Sequence, residues 1–161
     1  MPTRFTNHVA LPEEAKTQLI DTLNAVLATT SDLRSQVKQA HWNIKGPQFV
    51  ARHELFDDLA GRLHGYADVI AERAATLGGY AMGTVRQSAE HSKLPEYDLR
   101  AVDGKHHIRT LVDRYSDYNR LIRNAVGEAQ EHNDPATEDL YTEILRHTEL
   151  DMWFLESHVN V

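Results

Sequence analysis

His53 and Asp57, then Asp68 and Glu72, stand four residues apart in a stretch of helical pattern, with His41 upstream of a Gly46-Pro47 break. Residues four apart on a helix share a face, so each pair can offer two donors to one ion. Imidazole and carboxylate together suit intermediate divalent metals such as iron or manganese. From Asp57 to Asp68 is eleven residues, about 1100° of helical rotation, so both pairs point the same way. The same interval is roughly 16 Å of rise. Ligands must each lie about 2 Å from their metal, so one chain cannot bring the two pairs to one ion.

A two-fold axis removes the conflict. His53 with Glu72, and Asp57 with Asp68, share one midpoint between residues 62 and 63. If two copies of this helix cross antiparallel there, His53 and Asp57 of one chain meet Asp68 and Glu72 of the other. An isologous contact then makes two equivalent sites. Ala60, Gly61 and Gly65 flank the crossing and permit close approach. Either pair alone reads more simply as a solvated helix face; the common midpoint is what sets them apart.

The elements that must carry these residues are helices. Residues 1–11 read as an extended arm, and Pro12 with Glu13 and Glu14 starts a helix, Pro suiting the first turn and acids the positive dipole end. Leu19, Leu23, Val26, Leu27, Leu33 and Val37 recur at helical period to about Ile44. A second helix is expected from about Gln48 to Leu77, stopped by Gly78-Gly79, a third from an Asp103 cap to about Glu131, and a fourth from about Ala136 to His158. Residues 80–102 are too long for a tight turn, which predicts a crossover joining parallel neighbours. The fold class expected is all-α, a four-helix bundle with one long crossover, in a single domain.

These residues resemble a known family. His41-Trp42-Asn43, His53-Glu54 with Asp57, Asp68, Ala71-Glu72-Arg73 and Leu77-Gly78-Gly79 are similar to the signature of the Dps proteins, or mini-ferritins, and the similarity runs on to Trp153-Phe154-Leu155-Glu156. The resemblance implies a ferritin-like bundle with a short helix in the crossover, at Thr84 to His91. It implies metal ligation by His41, His53, Asp57, Asp68 and Glu72. Asp68 and Glu72 of one subunit with His41 of its dyad mate would hold the tighter iron, and His53 and Asp57 of the mate would complete a looser second position. The activity implied is ferroxidase: Fe(II) oxidised, preferentially by hydrogen peroxide, and stored as ferric mineral in a hollow dodecamer. On the residues alone, the assembly could equally stop at a dimer.

The 161 residues are 41% apolar and 25% charged, the composition of an ordinary soluble globular protein. There is no cysteine, which excludes disulfides, thiolate metal sites and a Cys nucleophile and fits a reducing cytosol. No apolar run suggests a signal peptide or a membrane span.

Rival functions are a DNA-coating protein and a non-catalytic divalent-metal buffer. DNA binding is disfavoured. The net charge is −7, the arm carries only Arg4, and His158-Val159-Asn160-Val161 has no Lys or Arg. A larger ferritin or di-iron oxygenase would use Glu-x-x-His pairs inside each bundle, and the sequence contains none.

Other residues keep two readings each. Trp42 covers the site or seals a helix end. Trp153 belongs to the core or an interface. His64 is an interface or supporting histidine, or a further ligand. Asp134, Glu138 and Asp139 line a cation pore, as the family's pores do, or sit at a solvated helix start. His106, His107, His132 and His147 are expected on solvated surfaces.

Overall fold

The computed structural model describes residues 5–159, so the expectations at Arg4, Asn160 and Val161 lie outside the described residues. Five helices follow one another: α1 (Glu13–Asn43), α2 (Phe49–Thr76), the short α3 (Val85–His91), α4 (Gly104–Glu131) and α5 (Pro135–Glu156). Among the described residues there is no strand, only an isolated parallel bridge between Lys45 and Asp103. The helix limits agree with the expected ones to within two residues.

The helix ends show why. Asp103 caps α4 by accepting from His106 N at 2.8 Å, and Thr84 caps α3. At the end of α2, Gly78 takes a positive φ of 89°, Gly78 N donates to Ala75 O and Gly79 N to Ala74 O. That is the Schellman arrangement, which satisfies carbonyls the helix leaves open. Asn133, φ 53°, does the same for α4, with Asp134 N donating to Ala129 O. Gly78 is required twice over, because a Cβ there would collide with Asn7 Nδ2 and Phe5 O of the arm.

Side-chain pairs fix the directions. Arg62 meets Asp151, Tyr66 stacks on His147, and Arg73 reaches Asp134, so residue numbers rise along α2 as they fall along α5. Asn119 with Met152 and Gln130 with Glu138 give the same opposition for α4 and α5. Both α2 and α4 therefore run against α5 and are parallel to each other. Residues 77–103 must span the bundle to join them, as the length of that segment predicted.

The core is one apolar cluster drawn from all four long helices, including Leu23, Val26 and Leu33 of α1, Phe56, Leu59 and Leu63 of α2, Ile108 and Ile122 of α4, and Ile144 of α5. Tyr115, Tyr118 and Tyr141 are also fully buried at its centre. Tyr118 shares a 2.8 Å hydrogen bond with Thr30.

Four expectations are overturned, at His107, His147, His132 and Asp134, and a fifth, at Trp153, is narrowed. His107 is wholly buried, because it sits on the inward face of α4 under the crossover and bonds Tyr97. His147 is half-buried against Tyr66, and His132 is half-buried too. Asp134 is 3% exposed: it caps α5 and pairs with Arg73, so it is neither pore lining nor a solvated acid. Trp153 is 57% exposed, which removes the core reading and leaves the interface one.

Candidate metal centre

His41 lies in the last turn of α1 and His53 one turn into α2, and the corner between them folds the two rings face to face. Their centroids are 3.7 Å apart and the planes 20° from parallel. The Gly46 φ of 95° and the left-handed Gln48 turn the chain through that corner. Each ring then bonds the other's backbone: His41 Nδ1 donates to His53 O at 2.8 Å, and His53 Nδ1 donates to His41 O at 2.9 Å. A carbonyl only accepts, so both Nδ1 atoms carry protons, and in the neutral rings Nε2 is the nitrogen whose lone pair a metal can use. Metal-binding histidines are commonly oriented in this way by a bond from the other ring nitrogen. Phe49 also stacks on His53, with the ring centroids 5.1 Å apart.

Asp57 joins this pair, its Oδ1 3.9 Å from His41 Nε2. Lys38 also reaches it, at 2.7 Å. The Lys38 hydrogen bond is the largest influence on the exposed Asp57 carboxyl and holds it below its usual range. Lys38 was missed by the sequence reading, although it lies three residues before His41 on the same helical face. Its ammonium also sits 5.6 Å from the ring centroid of Trp42, which is 68% exposed beside the site.

His41, His53 and Asp57 are thus brought together, while Asp68 and Glu72 lie exposed farther along α2. Among the described residues no three His, Asp or Glu side chains form a metal cluster within the chain. Asp68 borders a cavity of about 530 Å³ between α1, α2 and α3, lined by His64 and by small residues including Ala67, Ala71, Ala81 and Gly83. Gly61 and Gly65 have open space where a Cβ would stand.

Two antiparallel helix hairpins joined by a long crossover define the class. Residues 20–161 match the family described as Ferritin-like domain. The chain is 41% identical over 149 residues to the DNA protection during starvation protein of Agrobacterium fabrum (strain C58), covering 92% of each. Among solved structures, DpsA14 from Streptomyces coelicolor superposes with a TM-score of 0.93 at 35% identity, over 98% of this chain and 94% of that one. DpsC from the same organism gives 0.93 at 32%, over 98% and 92%. The chain belongs to the Dps family of ferritin-like proteins.

Proposed function

We propose that the protein oxidises Fe(II) and stores the ferric product, using sites shared between two chains. The observation that carries this reading is the split donor set: two imidazoles with free Nε2 atoms and Asp57 at one end of α2, Asp68 and Glu72 toward the other. Under the two-fold relation, Asp68 and Glu72 of one chain with His41 of its mate form the stronger position. His53 and Asp57 of the mate form the weaker, because Lys38 already occupies Asp57. Hydrogen peroxide is the preferred oxidant. Two Fe(II) give one electron each, the O–O bond breaks, and two protons complete two waters, so no hydroxyl radical is released. The ferric ions hydrolyse and collect inside a hollow shell of twelve subunits in the cytoplasm.

Protection of DNA is part of the name of the Agrobacterium relative. In this protein it comes from removing iron and peroxide, not from coating. The net charge of −7 opposes a polyanion, and the arm is held down where Phe5 N donates to Gly78 O and Asn7 Nδ2 to Leu77 O.

Asp68→Ala and Glu72→Ala should each slow the rapid peroxide-driven appearance of ferric absorbance by at least about 100-fold, the upper range for losing an outer-shell metal partner. Unchanged rates in both variants would refute the assignment. Tight iron binding without peroxide consumption by the unaltered protein would favour a metal buffer instead. Replacing Lys38 by Met should strengthen the second position, read as two iron equivalents per site binding with closer affinities in an anaerobic titration.

A further inference from the structure

His107 takes no part in the proposed iron chemistry and is completely buried on α4. Its Nδ1 lies 2.7 Å from the Tyr97 hydroxyl near the end of the crossover, and the two rings are 7° from parallel. Its Nε2 is buried with no hydrogen-bond partner. Phe56 of α2 meets the ring edge-on. The same end of the crossover is tied to the α1–α2 corner, where Lys45 N donates to Val102 O at 2.9 Å. Arg52, itself buried, lies against Gly104, where a Cβ would strike its guanidinium, and donates to Pro47 O at 3.3 Å. That corner joins His41 to His53.

The Ala101 backbone, Asp103 and Asp98 favour an imidazolium at His107, but burial and the neighbouring His106 oppose it and prevail. Asp98 of the crossover is 3.7 Å from His106 Nε2, and Asp103 accepts from His106 N as the α4 cap. His106 on α4 stands edge-on to the His107 ring, and Arg52 on α2 acts on Asp103. Lys45 of the corner pairs backbone to backbone with Asp103. A proton added to His107 would therefore be a buried charge without its own counter-ion, which is costly unless the structure opens.

We propose that His107 is an acid-sensitive latch: neutral, it fastens the end of the crossover and, through it, the α1–α2 corner; protonated, it lets both go. Burial, with the neighbouring His106 acting in the same direction, pushes its imidazole below the ordinary 6.5. A base depressed in the closed form supports that form fully above about pH 6.5. The support is lost as pH falls from there toward the depressed value.

Hydrogen exchange of the assembled, metal-free protein from neutral pH to about pH 5 tests this. After correction for intrinsic exchange, protection at 97–103 and 44–49 should fall together, by up to about tenfold per pH unit below about 6.5. His107→Phe, which cannot titrate, should give a flat profile in both segments. Should that variant not fold, His107→Gln, with an amide in reach of Tyr97, must be equally flat. An acid loss unchanged in the variant, or no acid loss in the unaltered protein, overturns the latch. Neither result depends on iron.

Discussion

Two inactive variants should restore activity to one another when mixed. Subunits lacking His53 and Asp57 would keep Asp68 and Glu72, and subunits lacking Asp68 and Glu72 would keep the other half. A hybrid dimer then holds one intact site and one emptied of all four groups. With random exchange of equal amounts, half the dimers are hybrids, so about a quarter of the sites are whole. Each variant alone should show essentially no rapid peroxide-driven Fe(II) oxidation, and the remixed sample should regain about a quarter of the wild-type amplitude. The amplitude, not the rate constant, is what should recover, because each rebuilt site is complete. No recovery despite proven exchange, seen by native mass spectrometry of tagged chains, would contradict sharing. Full activity in either variant alone would place the chemistry elsewhere.

The second large effect is on stability, at a residue next to a proposed ligand. Arg73 follows Glu72, about 100° further round the helix, and reaches between α2 and α5. Its Nη2 lies 2.9 Å from both oxygens of Asp134, and its Nε donates to Thr137 Oγ1 at 2.8 Å. Burial by itself would push the Asp134 carboxyl up, but hydrogen bonds from Thr137 and Arg73 outweigh it and hold the carboxyl below its usual range. Arg73→Ala leaves a buried carboxylate without its cation, a change that costs about 3–5 kcal/mol. That is a large part of the ~5–15 kcal/mol that holds a domain folded.

Denaturation midpoints at matched subunit concentration should show the loss, and Arg73→Lys should recover only part because it cannot form the two-pronged contact. A loss below about 1 kcal/mol would mean the pair behaves as an exposed one. The contribution is present above the ordinary carboxylate value of 3.8 and disappears as pH falls through the depressed value. The gap between the two proteins should therefore close in strong acid.

The helices were legible because their signals are local. Pro12 with two acids, Gly46-Pro47, Gly78-Gly79, Asp103 and Asn133-Asp134-Pro135 each act on the few peptide groups beside them. The crossover was legible from length alone, since no tight turn needs that many residues. The misjudged residues share one cause. His107, His147 and Asp134 are polar, and their burial depends on partners distant in sequence: Tyr66 for His147, and Arg73 for Asp134. Tyr97, ten residues before His107, is placed over it only by the course of the crossover.

For the proposed centre the division is similar. Residue types and spacing alone set which donors exist, and that Asp57 and Asp68 on one rigid helix stand too far apart for a single ion, because helical rise per residue is constant. The arrangement of one half of that centre comes from folding. Folding the α1–α2 corner turns His41 and His53 into each other's orienting partner, with both Nε2 atoms left open and Lys38 set against Asp57. Those relations cross a turn between two helices, and no helical period encodes how two helices pack.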